Sequence, residues 1–188
     1  MRRWHSLLYE RFSGQPLPLL HAGGETWTAA SLWAGSRRWV AHFRALGLAP
    51  GDRLLLALPA GPGFVQVLLA ALWESLTIVP VPMGERVERL QERLDARVVV
   101  SLTAGAATIV PSADHGPPES VGVLRAASGP PTPSVRFLLR TSGTTGAGRW
   151  IALGDESVLA VLKSHQPLFG LDGAIVLSVL PWQHVFGL

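Results

Sequence analysis

The amino-acid sequence predicts an α/β fold, with layered, mostly parallel sheets and flanking helices, and three observations carry that expectation. Short leucine-rich or β-branched runs alternate with amphipathic helical patterns at close spacing, the rhythm of strands joined by crossover helices. Gly 20 and Pro 15 among 188 residues are too many for a helical bundle and suit many strand-to-helix turns. Hydrophobic residues make up 48% and charged residues 15%, so a folded chain with a real core is expected.

Trp4, Leu7, Leu8 and Phe12 share one face of a short helix that Ser13-Gly14 ends. Leu19 to Trp27 reads as a hairpin turning at Ala22-Gly23-Gly24. Thr28 is expected to cap a helix through Leu32, Trp33, Val40, Phe43 and Leu46, closed by Gly47. After the turn Pro50-Gly51-Asp52, Arg53 to Leu58 is an apolar strand. Gly63 to Ser75 follows as a helix with Phe64, Val67, Leu68, Ala71 and Leu72 on one face, and Thr77 to Val81 as a buried β-branched strand. Strand, helix and strand with short links form a βαβ unit, whose strands run parallel in one sheet. A charged helix at Arg86 to Leu94 and a strand at Arg97 to Leu102 complete a first layer over residues 1–103.

Residues 104–134 are rich in Pro, Gly, Ser and Ala and read as a surface connection with one short strand at Val121 to Arg125. Residues 135–188 are expected to begin a second layer. It holds a strand at Val135 to Leu139, a small-residue loop at Arg140 to Arg149 and a strand at Trp150 to Leu153. A helix capped by Asp155 and an apolar strand at Ala174 to Leu180 follow. Lacking further sheet partners, this second layer is expected to expose an apolar edge.

Several functions are disfavoured by composition. The formal charge is +3, but the arginines are scattered and Lys163 is the one lysine, so no basic stripe suits a nucleic acid. Cys 0 rules out disulfides and thiolate metal sites, and the six histidines include no His-x-x-x-His pair. Met1 to Arg11 contains Glu10 and no long apolar run, unlike a signal peptide. Leu54 to Trp73 is uncharged, yet Pro59, Gly61, Pro62 and Gly63 would break a membrane-spanning helix. No membrane span and a cytoplasmic location are expected.

Chemistry concentrates in Arg140-Thr141-Ser142-Gly143-Thr144-Thr145-Gly146-Ala147-Gly148-Arg149, where four hydroxyls and three glycines follow an apolar strand. Glycines let the backbone turn its N–H groups towards a ligand, and with hydroxyls these make a nest for phosphate oxygens. Arg149 adds a fixed positive charge. A tight Ser/Thr-Gly hairpin with no ligand is the plainer alternative. Gly143 and Gly148 have the separation of a Walker loop, but Arg149-Trp150 stands where lysine and a magnesium-binding hydroxyl are needed. A strand-like Trp-Ile-Ala-Leu follows instead of a helix, so the Walker pattern fails and a P-loop phosphohydrolase ranks low.

Thr141-Ser142-Gly143-Thr144-Thr145-Gly146 resembles the phosphate loop of the adenylate-forming superfamily, which includes acyl-CoA synthetases, luciferases and nonribosomal adenylation domains. Leu46-Gly47-Leu48-Ala49-Pro50-Gly51-Asp52-Arg53 resembles the "G-L-x-x-G-D-R" lead into a core strand of that family. Leu180-Pro181-Trp182-Gln183-His184-Val185-Phe186-Gly187-Leu188 resembles its "L-P-x-x-H-x-x-G" segment. Three segments in the right order are far more specific than any one. The resemblance implies the N-terminal part of an adenylate-forming fold and activation of a carboxylic acid with ATP and Mg²⁺. The acyl group would then pass to a thiol, either CoA or the pantetheine of an acyl carrier protein. It implies that Thr141, Ser142, Gly143, Thr144, Thr145 and Gly146 wrap the phosphates, with Arg149 at the usual lysine position and Thr141 on magnesium. His184, Trp182 and Phe186 would wall the carboxylate substrate. The alternatives are a solvated charge for Arg149, core aromatics for Trp182 and Phe186, and a structural role for His184.

There are departures. The family's Gly-x-Pro-Lys-Gly is replaced by Gly146-Ala147-Gly148-Arg149-Trp150, which changes a point charge to a planar fork and sets an indole where backbone approach is close. Ser75 stands where glycine is usual. The family's later adenine- and ribose-binding segments and its C-terminal lysine have no counterpart here, so catalytic residues are expected beyond Leu188. A non-catalytic α/β module that binds a nucleotide or a partner is the alternative function.

Overall fold

Parallel strands buried on both faces organise the molecule, as a computed structural model shows for residues 3–13, 18–103, 106–111, 135–141, 149–169, 178 and 181–183. Helix α1 (Arg3–Phe12) is followed by the antiparallel pair β1 (Pro18–Ala22) and β2 (Glu25–Thr28), and then by α2 (Ala29–Ala45). Next come β3 (Arg53–Ala57), α3 (Pro62–Trp73), β4 (Thr77–Pro80), α4 (Val87–Leu94) and β5 (Ala96–Thr103). The chain continues through β6 (Ala106–Pro111), β7 (Val135–Arg140) and β8 (Trp150–Gly154) to α5 (Asp155–Phe169).

The main sheet has the order β6-β5-β3-β4-β7-β8. Strands β5, β3, β4 and β7 are parallel, and the outer strands β6 and β8 are antiparallel to their neighbours. Leu54 faces Ile78 on one side and Val98 on the other, so the register stacks apolar residues across three strands. Side chains alternate along β3. Leu54, Leu56 and Leu58 enter a core shared with α1, α2 and α3, whereas Leu55 and Ala57 pack beneath Leu90 of α4. Helices α3 and α4 therefore cover opposite faces, as two successive crossovers require.

Two sequence expectations change. Val135 to Leu139 does not open a separate second layer: Phe137 pairs with Ile78, and Thr77 Oγ1 donates to the Val135 carbonyl at 2.8 Å. The free edge of β4 accepts β7, so one sheet spans both regions. Ala106–Pro111, expected to be part of an irregular connection, is an edge strand pairing from Val98↔Pro111 to Thr103↔Ala106. Thr108, Ile109 and Val110 suit a strand, and a proline at the end of an edge strand disturbs no inner ladder. Val121 to Arg125 and Ala174 to Leu180 lie outside the described residues, Ser178 excepted.

Local signals behave as expected at both ends of α2. Thr28 Oγ1 accepts from the Ser31 N–H at 3.1 Å while Ser31 Oγ accepts from the Thr28 N–H at 2.9 Å, a reciprocal cap on α2. At the other end Gly47 takes φ +66°, with Leu48 N–H bonded to the Phe43 carbonyl. Helix α3 ends in the same motif, Leu76 N–H to the Ala71 carbonyl, but the left-handed position is Ser75 at φ 59°. This geometry explains why glycine is the usual residue there. Asp155, expected as a cap, is the first residue of α5.

One charged knot crosses the core. Arg136, 2% exposed, donates from Nε and Nη2 to the two Asp155 carboxylate oxygens at 2.6 and 3.0 Å and from Nη1 to the Leu76 carbonyl at 2.8 Å. Trp4 Nε1 donates to the same carboxylate at 2.7 Å. On α5 the side chains of Val161, Leu162 and Leu168 are 50%, 51% and 71% exposed.

Replacing Asp155 by Ala leaves the Arg136 charge buried without its partner, so a loss of about 3–5 kcal/mol is expected in urea denaturation. Ser75→Gly relieves the left-handed strain and is expected to add about 0.5–1 kcal/mol, less whatever entropy glycine gains in the unfolded chain.

Candidate functional site

The carboxyl ends of β3, β4 and β7 lie along one edge of the sheet, where α/β proteins place their ligands. Arg140 ends β7, and Trp150, its antiparallel partner, begins β8. Between them the Thr141 N–H donates to the Arg149 carbonyl at 2.9 Å. The Arg149 N–H donates back to Thr141 Oγ1 at 3.0 Å. The Gly/Ser/Thr-rich stretch thus leaves and re-enters the sheet at one place, strapped by a threonine hydroxyl. Ser142, Gly143, Thr144, Thr145 and Gly146 lie outside the described residues.

Two cations stand at this mouth. Arg149 is exposed, and Arg140 donates from Nη1 to Glu85 Oε1 at 2.6 Å. Glu85 belongs to the segment leaving the carboxyl end of β4, so the pair ties that segment to the base of the loop. Sequence reasoning passed over Arg140 as a paired residue, because its partner is 55 positions away. Trp150 packs among the residues on the α4 face of the sheet, against the cluster of Leu55, Ala57 and Val79. Its ring is half-buried there, and among the described residues its buried Nε1–H makes no hydrogen bond.

A second part of the predicted site reaches the same edge. Trp182 lies edge-on to Phe64 with ring centroids 5.6 Å apart, and its Nε1 donates to Ser178 Oγ at 2.6 Å. Gln183 donates through its side-chain amide to the carbonyl of Leu58, just past β3. Phe64 is in the first turn of α3, also next to the end of β3. Because β4 alone separates β3 from β7, the Leu58 anchor and the Thr141 strap are about two strand spacings, or 10 Å, apart. His184 and Phe186 lie outside the described residues. Gln183 was not singled out from sequence; as an unassigned position of the L-P-x-x-H pattern it carried no signal of its own.

The segment before β3 is architectural. Asp52 accepts from the Ala49 N–H at 2.8 Å and lies 3.8 Å from Arg97, while the Gly51 N–H bonds the Ser75 carbonyl. Among the described residues no group of three His, Asp or Glu side chains could hold a metal ion. Thr141 Oγ1, with one lone pair used by Arg149 N–H, is the predicted metal ligand that the structure places at the mouth.

A family model described as AMP-binding enzyme matches residues 11–188. Among curated proteins, a 4-coumarate–CoA ligase of Humulus lupulus is 27% identical over 217 residues, covering 98% of this chain and 40% of the ligase. A nonribosomal peptide synthetase of Cordyceps militaris is 31% identical over 137 residues, covering 68% of this chain and 3% of the synthetase. Among solved structures, ATP-bound MatB from Rhodopseudomonas palustris is similar with a TM-score of 0.73 at 15% identity, covering 99% of this chain and 41% of that one. A fatty acid AMP ligase from Legionella pneumophila gives 0.71 at 21% identity, covering 98% and 36%. These likenesses show the fold. The chain spans well under two thirds of each of these relatives.

Thr141→Val removes the acceptor for the Arg149 N–H while keeping the side-chain shape. Hydrogen exchange at the Arg149 amide is expected to accelerate about tenfold, the equivalent of one lost hydrogen bond; an unchanged rate would show that the hydroxyl does not strap the loop.

Proposed function

We propose, because this chain belongs to the AMP-binding enzyme family, that it carries the phosphate loop of an enzyme that activates a carboxylic acid with ATP. In that reaction a carboxylate oxygen attacks the α-phosphorus, the bond to the bridging oxygen breaks, and pyrophosphate leaves an acyl-adenylate. Transfer of the acyl group to a thiol, of CoA or of a carrier-protein pantetheine, then releases AMP.

The observation that carries this reading is the strapped mouth between β7 and β8 at the carboxyl edge of the sheet. Thr141, Ser142, Gly143, Thr144, Thr145 and Gly146 would surround the phosphates with N–H and hydroxyl donors. Arg149 would supply a fixed cation where charge builds up on the leaving pyrophosphate. Magnesium binds largely through phosphate oxygens, and the Thr141 hydroxyl would be its protein ligand. Trp182 on Phe64, with His184 and Phe186, would wall the acid, whose carboxylate must reach the α-phosphorus from the β3 side. Among the described residues no helix is long and apolar enough to cross a membrane.

A second reading, a non-catalytic module that keeps the scaffold and binds a nucleotide or a partner, is favoured by the departures at Gly148-Arg149-Trp150 and by the exposed apolar face of α5.

ATP affinity, measured by equilibrium dialysis with Mg²⁺, is expected to fall about tenfold in Arg149→Ala through loss of a charge-assisted contact. Unchanged affinity would remove Arg149 from the phosphate site. Exchange of pyrophosphate into ATP by this chain with any carboxylic acid would exclude the second reading.

A further inference from the structure

At the amino edge of the sheet, away from the loop, a cleft of about 510 Å³ opens between α1, α2 and α3. That volume is in the range of small-molecule sites. One wall is aromatic: Trp33 and Trp73 meet edge to face with centroids 5.1 Å apart, and Trp73 stacks on His5 at 4.0 Å. His5 Nε2 also donates to the Trp73 carbonyl at 2.6 Å, so the indole is held from behind. The other wall is the α2 face bearing Arg37, Ala41 and Arg44, which follow one another at helical spacing.

The cations are differently prepared. Arg44 donates from Nε and Nη2 to one oxygen of the buried Glu74 at 3.0 and 2.8 Å, which orients its guanidinium and balances its charge. Arg37 is exposed and makes no ion pair among the described residues, so the net charge facing the cleft is positive. Ala41 between them leaves the space open, and Tyr9 of α1 stands at the opening, 61% exposed. None of these residues is used by the loop or by the Trp182 segment.

We propose that this cleft is a binding site for a small aryl carboxylate, its ring against Trp33 and Trp73 and its carboxylate on Arg37 beside the preset Arg44. The apolar wall selects a flat hydrophobic body, and the uncompensated guanidinium selects an anion over a neutral molecule of the same shape. The site is independent of nucleotide chemistry, so it stands whether or not the chain takes part in adenylation.

The test is a titration of the 188-residue chain with 2-naphthoate, without nucleotide, followed in ¹H–¹⁵N spectra of the indole groups. Saturable shifts of the Trp33 and Trp73 Nε1–H signals are expected, with the Trp182 signal not following them. Binding should weaken about tenfold or more for 2-naphthylmethanol and in Arg37→Glu. Ala41→Phe, on the exposed side of α2, should abolish the shifts while leaving the melting temperature unchanged. Any of three results would overturn the proposal: no saturable shift at Trp33 and Trp73, equal affinity for the alcohol, or undiminished binding in Ala41→Phe. Shifts confined to Trp182 would do the same and place the acid at the other site.

Discussion

The ion pair between Arg136 and Asp155 is the constraint on which the rest of the arrangement depends. A guanidinium cannot shed its charge, so burying Arg136 is tolerable only when its donors are matched. They are matched by three acceptors at once: two carboxylate oxygens from the start of α5 and the Leu76 carbonyl between α3 and β4. Trp4 of α1 completes the carboxylate. Strand β7 therefore sits beside β4 only when α5 lies across it and α1 closes over the top.

Fixing β7 fixes the mouth of the loop. The strand enters parallel to β4, ends level with the ends of β3 and β4, and turns back as β8. Reciprocal bonds between Thr141 and Arg149 then bring both ends of the glycine-rich stretch to the carboxyl edge. The Trp182–Gln183 segment reaches that edge by a different route, through Phe64 and the Leu58 carbonyl. Segments more than 30 residues apart in sequence thus come to one place, the loop ends through strand pairing and the Thr141 hydroxyl, the Trp182–Gln183 segment through its side chains.

Much of this was legible beforehand because it is local. The caps at Thr28 and Gly47, the turn at Gly23-Gly24 and the apolar runs of β3 and β4 each depend on a few neighbouring residues. Ser75 was marked as an odd residue in a glycine position, and its φ of 59° supplies the reason. Harder to see were β6, whose Pro111 and alanine-rich surroundings masked an edge strand, and the pairing of Arg140 with Glu85. The packing of Trp150 with the core cluster on the α4 face was no easier to read. The side of the sheet that a residue joins depends on the partner strand, and no nearby residue announces it.

By itself, then, the sequence determined most of the elements and their order, since periodicity, caps and glycine placement act within a few residues. Only the tertiary structure decided that β7 completes the first sheet, that Arg136 is buried, and that Thr141, Arg149, Trp182 and Gln183 share one edge. Those outcomes rest on strand pairing and charge burial between distant segments, where the energy depends on what arrives opposite a residue and not on what precedes it.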